Sequence, residues 1–197
     1  DEHGRKHNSE FTMLEWYRPG LDLKALMHET ADLLEICLMH RFGEIRPIIL
    51  SYKHAFQDRL DINPLQATLK QLKDTAHRVG LNLDLGDDRL GYMELLFSHF
   101  VEPSLGFDAP VFLTDFPPEM ASLAKIKQDE DGELVAARFE VYIEGLELAN
   151  AYDELQDILN VKIRQPDELF GRDFDNLPLV DLDRSSTHVP PGATNDA

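Results

Sequence analysis

The sequence has little cysteine, little positive charge and no long apolar run. Its single cysteine, Cys37, excludes an internal disulfide and is consistent with a reducing compartment. No apolar run is long enough to span a bilayer and no signal peptide is visible, so we expect a cytoplasmic protein without a membrane partner. Lysine and arginine number 19 against 37 aspartates and glutamates. The resulting net charge of −18 argues against nucleic acid as a bulk electrostatic partner.

What the sequence does contain is short aromatic and apolar segments that alternate with amphipathic ones. Strand-like composition covers residues 10–18, 110–116, 138–143 and 146–150. The last two flank Glu144-Gly145, which is typical of a tight hairpin turn. Helical spacing covers residues 22–42, the stretch from Pro64 to Gly80, and about 88–101. We therefore predict an α+β fold with a mostly antiparallel sheet flanked by helices.

The first predicted strand has a chemically suggestive face. Alternation places Phe11, Glu15 and Tyr17 on one side of it, and the polar loop before it carries potential cations that include Arg5 and His7. This arrangement could hold an anion in the loop, a flat ring on Phe11, and an amine beside the carboxylate and the phenol. On composition alone, the competing interpretation is favoured: a half-exposed edge strand after a flexible start.

The predicted hairpin offers a second candidate site. A two-residue turn pairs positions whose numbers sum to 289, so Glu147 faces Tyr142 and lies diagonal to Glu140. Two glutamates on one face favour a hard cation with oxygen ligands, such as Mg²⁺, between them. Asn150 and Glu154 follow at a spacing of four, and on a helical turn they would lie on one side. The alternative for all four is a solvated surface.

Three stretches resemble the lysine-specific class II synthetases. GRKHNSEFTMLEWYRP at 4–19 looks like their motif 2, FPPEMASLA at 116–124 is similar to a further family segment, and RFEVYIEGLELANAYDEL at 138–155 follows their strand-hairpin-strand. The ending LEWYRP resembles the elongation factor P β-lysine ligases more than the lysyl-tRNA synthetases. The resemblance implies a partial class II catalytic domain over residues 1–157, without motifs 1 and 3, and a divergent tail over 158–197.

The resemblance also implies a role for each matching residue. Arg5 and His7 would meet the ATP phosphates as catalytic residues, Phe11 would stack on adenine, Glu15, Tyr17, Asn150 and Glu154 would bind the lysine-like substrate, and Glu140 and Glu147 would hold Mg²⁺.

The implied reaction is the ATP-dependent activation of (R)-β-lysine and its transfer to a lysine of elongation factor P. The resemblance further implies a homodimer, and we expect no tRNA partner. Two alternatives stay open: a fragment of a lysyl-tRNA synthetase catalytic core, and a non-catalytic binding protein derived from a synthetase. Because these residues lack the arginines of motifs 2 and 3, we expect this stretch by itself to be inactive or impaired.

Overall fold

The computed structural model describes residue 10 and residues 12–42 and 46–156. The helices in this part of the chain are α1 Leu23–Phe42, α2 Tyr52–Leu60, α3 Leu69–Arg78 and α4 Arg89–Leu96. Its strands are β1 Ile48–Ser51, β2 Val111–Phe116, β3 Ile126–Gln128, β4 Leu134–Ile143 and β5 Leu146–Tyr152. None of the helices described has both the length and the apolar character that a membrane crossing requires.

The strands form one mixed sheet in the order β1-β2-β4-β3, and β5 also pairs with β4. β1 and β2 are parallel, while the other pairings are antiparallel. The edge of β4 away from β2 is shared, because β3 pairs with residues 134–136 and β5 with residues 138–143. The predicted α+β class is confirmed, and the parallel β1–β2 pair makes the sheet mixed.

The helix boundaries follow local capping chemistry. Asp22 accepts a hydrogen bond from the backbone N–H of Ala25 at 2.7 Å, as expected of the predicted cap of α1. Thr68 and Gln71 form a capping box, so α3 begins at Leu69 rather than directly after Pro64. The third predicted helix is α4, which continues through one π-helical turn at Phe97–Val101. The sequence prediction missed β1, α2 and β3, and it placed the start of β4 four residues too late.

The predicted strand over residues 10–18 is wrong. Residues 12–18 belong to no strand, and no other described strand runs alongside them to exchange backbone hydrogen bonds. Side chains attach the segment to α1 instead. The indole of Trp16 donates to Glu29 at 3.4 Å, and the guanidinium of Arg18 donates to the same carboxylate at 2.5–3.0 Å. Aromatic composition therefore indicated a strand for which the described chain provides no neighbour.

The two faces of the sheet bury different cores. α1 covers the face that presents Phe112, Phe139 and Val141. The opposite face presents Leu113 and Tyr142 to a larger core built from α2, α3 and α4. Because side chains alternate along β4, Arg138 and Glu140 lie on the same face as Tyr142. The candidate cation ligand Glu140 is thus on the side of the sheet that carries the larger core.

Candidate active site

The β4–β5 hairpin forms the turn predicted for it, but its register then changes. Glu144 and Gly145 both have positive φ, at 51° and 70°, as a tight hairpin turn requires. Tyr142 lies opposite Glu147 as predicted. One extra residue in β5, Leu148, then forms a bulge, so that Glu140 pairs with Asn150. The amide of Asn150 donates to Glu147 Oε1 at 3.1 Å. We call Glu140, Glu147 and Asn150 the hairpin acid site.

Glu140 is the buried end of the hairpin acid site and is only 8% exposed. Arg138 Nη2 donates to its Oε1, and the hydroxyl of Tyr142 donates to its Oε2 at 2.5 Å. Burial raises the pKa of Glu140; the Tyr142 hydrogen bond and the Arg138 charge oppose this, and the nearby Glu147 charge raises it further. The net effect is a raised pKa, so the surroundings do not fully stabilise the charged form of this carboxylate.

Arg138 is held on several sides. Its guanidinium carbon lies 4.5 Å from the ring centre of Phe116 and 4.9 Å from that of Tyr152. Its Nη1 donates to the carbonyl oxygen of Met120 at 2.8 Å. The sequence prediction missed Arg138 and Tyr142 as partners of Glu140, although their spacing of two along a strand could have indicated them.

The donor set of the hairpin acid site fits a hard divalent cation. Glu140 and Glu147 supply carboxylate oxygens, which Mg²⁺ prefers. The two are close enough for the charge of Glu147 to raise the pKa of Glu140. The guanidinium of Arg138 contacts Glu140, while the charges of Glu147 and Glu102 both raise the pKa of that carboxylate, so a further positive charge beside it would be favourable. Glu147 and Asn150 are exposed, so the site opens towards solvent from the buried Glu140.

A second group of candidate residues meets at the end of β5. The Tyr17 hydroxyl donates to Glu15 Oε1 at 3.0 Å. That hydrogen bond raises the pKa of Tyr17, as do the charges of Glu15 and Glu154. Glu154 forms an isolated antiparallel bridge with Ala124. The structure therefore joins Glu15 to Tyr17 by a hydrogen bond and places Glu154 near enough for its charge to act on Tyr17, so that two acids and a phenol could receive an amine.

Asn150 and Glu154 do not share a helical turn, because β4 supplies a pairing partner for this stretch. Asn150 lies in β5, and Asp153 N–H donates to the carbonyl oxygen of Ala137 at 2.9 Å. Tyr152, between the two groups of candidate residues, has its pKa raised by burial and by the charges of Glu140 and Glu147, which the Arg138 charge opposes. The remaining predicted site residues, Arg5, His7 and Phe11, lie outside the described residues.

Another acidic cluster was not predicted from the sequence. The Lys53 ammonium, on α2, donates to Asp129, Asp131 and Glu133 at 2.7, 2.6 and 2.8 Å. One oxygen from each of these three carboxylates lies within 4.8 Å of the others, a spacing that could hold a metal ion. Lys53 is only 5% exposed and supplies the positive charge itself. We call these four residues the Lys53 cluster.

Comparison with known proteins assigns the chain to a family. The family model described as tRNA synthetases class II (D, K and N) matches residues 1–167. The chain belongs to this class II synthetase family. The mixed sheet and its helices are the part of the class II fold that these residues form, and the recognised motif segments lie inside the match.

Curated relatives within the class II family are considerably longer than this chain. Proteins named elongation factor P–(R)-β-lysine ligase from Klebsiella pneumoniae (strain 342) and Salmonella paratyphi B are 43% and 42% identical over 187 residues, or 94% of this chain and 56% of each relative. The protein of that name from Pectobacterium atrosepticum is 46% identical over 160 residues, which cover 80% of this chain and 47% of the relative. The chain thus spans about half the length of these curated relatives.

Proposed function

We propose that the complete protein is an ATP-dependent ligase that attaches (R)-β-lysine to a lysine of elongation factor P. The support comes from the identity of 42–46% to curated proteins with that name and from the class II family match. In the first step, a carboxylate oxygen of β-lysine attacks the α-phosphorus of ATP and pyrophosphate leaves. In the second, the amine of the acceptor lysine attacks the acyl carbon, loses a proton and displaces AMP.

The hairpin acid site is the observation on which the nucleotide part of this proposal rests. Glu140 and Glu147 would hold the Mg²⁺ that accompanies ATP. Such an ion, when bound, would neutralise charge on the phosphates. Arg5 and His7 would contact those phosphates, and Phe11 would stack on the adenine. Most of the work left to the protein is positioning, since acyl transfer between bound groups benefits chiefly from orientation and fixed charge.

The amine part of the proposal rests on the second group of candidate residues. Glu15 and Glu154 would attract an ammonium group of the lysine-like substrate, and the hydroxyl of Tyr17, which already contacts Glu15, would help to orient it. Asn150 would help to position the same substrate. We further propose that the complete protein acts in the cytoplasm as a homodimer and without tRNA.

Pyrophosphate exchange by the complete gene product tests the proposed reaction. We expect faster exchange with (R)-β-lysine than with α-lysine, and transfer of the labelled amino acid to elongation factor P. Preference for α-lysine together with charging of tRNA would instead identify a lysyl-tRNA synthetase. Absence of exchange with both amino acids would identify a non-catalytic protein.

Replacement of one acid tests the assignment of the amine pocket. Glu154→Gln should weaken the binding of β-lysine by about tenfold or more and leave ATP binding almost unchanged, since it removes a charge that faces the amine. Glu130→Gln, at an exposed acid outside both candidate groups, is the matched control. Equal losses of β-lysine and ATP affinity in the Glu154 variant would contradict the assigned role.

A further inference from the structure

We infer that Arg138 is a positioning residue that holds the carboxylate of Glu140 in the orientation needed to bind a divalent cation. This inference rests on the proposed function, because it concerns the cation expected with the nucleotide. It adds a residue to which the resemblance assigned no role. The inference depends on how Arg138 is fixed, on which lone pairs of Glu140 remain, and on the charge balance of the hairpin acid site.

Contacts other than Glu140 set the orientation of Arg138. Its guanidinium contacts the rings of Phe116 and Tyr152, and its Nη1 donates to the carbonyl of Met120. Its side chain is 11% exposed, so solvent has little access to it. Its Nε is buried without a hydrogen-bond partner among the described residues. A planar group with aromatic contacts and a carbonyl partner at Nη1 presents Nη2 in one direction. That nitrogen, Nη2, is the one that meets Glu140.

Two hydrogen bonds orient the carboxylate of Glu140, and other lone pairs on its oxygens remain available to a cation. Arg138 takes one lone pair on Oε1, and the hydroxyl of Tyr142 takes one on Oε2. Each carboxylate oxygen has a second lone pair, so both oxygens can still bind a cation. Two donors at opposite ends of the group prevent it from rotating. Partners of this kind orient metal-binding carboxylates, and their loss typically costs about 10–100-fold in metal affinity.

The charges around Glu140 indicate that Arg138 positions this carboxylate and does not compete with a cation for it. Arg138 contacts Glu140, and the negative charges of Glu147 and Glu102 both act on that carboxylate, so an additional cation is favoured there. A competing side chain would be able to leave the carboxylate when the metal ion arrives. The ring contacts and the bond to Met120 keep Arg138 in place, so it is expected to remain beside Glu140 with the cation bound.

Direct measurement of Mn²⁺ binding tests this inference without any catalytic step. Mn²⁺ replaces Mg²⁺, a non-hydrolysable ATP analogue is the nucleotide, and the free ion is followed by electron paramagnetic resonance in the complete protein. We expect Arg138→Met to weaken Mn²⁺ binding by about 10–100-fold. Arg138→Lys, which keeps the charge but not the fork of donors, should be intermediate. Binding of the analogue without metal should change little.

Arg89→Lys is the matched control, because it alters a partly buried arginine away from the hairpin. Arg89 donates to the carbonyls of Pro64 and Ala67 and to Glu119. Its replacement should lower thermal stability and leave Mn²⁺ affinity unchanged. Unchanged or tighter Mn²⁺ binding in a folded Arg138 variant would overturn the inference alone. Failure of the parent protein to bind Mn²⁺ with the analogue would overturn the proposed function as well. Should Arg138→Met not fold, unchanged Mn²⁺ binding in the Lys variant would overturn the inference equally.

Discussion

The Lys53 cluster and the hairpin acid site each gather carboxylates around a basic side chain, yet they are balanced differently. In the first, one ammonium contacts three carboxylates, and it lowers the pKa of Asp129 against the opposing effect of burial. In the second, one guanidinium contacts one of two glutamates, and the pKa of Glu140 is raised by burial. A lowered pKa means that the surroundings stabilise the charged carboxylate, whereas a raised pKa means that they favour its protonated form.

This difference distinguishes a structural cluster from a candidate binding site. Burial by itself would lower the pKa of Lys53, but its hydrogen bonds with the three acids raise it strongly. The cluster also connects α2 to the turn between β3 and β4, 76–80 residues further along the chain. The hairpin acid site joins neighbouring strands that the turn already connects, so its charges are less needed for the fold. Acidic composition alone does not separate the two sites, and each has one basic side chain. They differ because Lys53 contacts all three of its carboxylates, whereas Arg138 is seen to contact Glu140.

The largest expected effect is the loss of the cation from the Lys53 cluster. Lys53→Met should lower the free energy of unfolding by about 3–5 kcal/mol, because it leaves carboxylates partly buried without a counter-charge. Urea denaturation followed by circular dichroism measures this. The matched control is Lys70→Met, at an exposed lysine that contacts Asp74 at 2.6 Å, and about 0.5 kcal/mol or less is expected there. Similar losses in the two variants would remove the structural role assigned to Lys53.

The predictability of these features depends on the distance along the chain between the interacting residues. The cap at Asp22, the hairpin turn and the pairing of Tyr142 with Glu147 were predicted because their partners are a few residues away. The bulge at Leu148 was missed because alternation does not reveal an extra residue. The Lys53 cluster was missed because nothing in the local pattern joins α2 to a turn so far along the chain. Its position is a consequence of tertiary packing.

Replacement of Glu140 or of Asp129, whose pKa values are shifted in opposite directions, should change stability by an intermediate amount. The pKa of Glu140 lies above its ordinary value of 4.5 in the folded state, so its contribution to stability falls as the pH rises past 4.5. Glu140→Gln should remove that fall in stability with rising pH, while metal–nucleotide binding is lost. Unfolding measured from pH 4 to 8 checks this.

Asp129→Asn is the matched contrast for Glu140→Gln. The pKa of Asp129 lies below its ordinary value of 3.8, so its contribution to stability is present above 3.8 and is lost as the pH falls through the lower, folded value. The Asn variant should therefore lose about 1–3 kcal/mol at neutral pH and less at pH 2. If both variants showed the same pH dependence, the contrast between the two sites would be wrong.

The smallest effect is expected at the exposed rim of the hairpin acid site. Asn150→Ala removes an exposed hydrogen bond to Glu147, so the free energy of unfolding should change by about 0.5 kcal/mol at most. Asn63→Ala is the matched variant beside the Lys53 cluster, since Asn63 donates to the cluster residue Glu133 at 3.2 Å and accepts from the N–H of Leu65 at 3.0 Å. A loss of about 1–2 kcal/mol is expected there, because a half-buried group loses two bonds. An equal cost in the two variants would mean that Asn150 supports the fold as much as Asn63 does, and that the hairpin acid site is not the less constrained of the two.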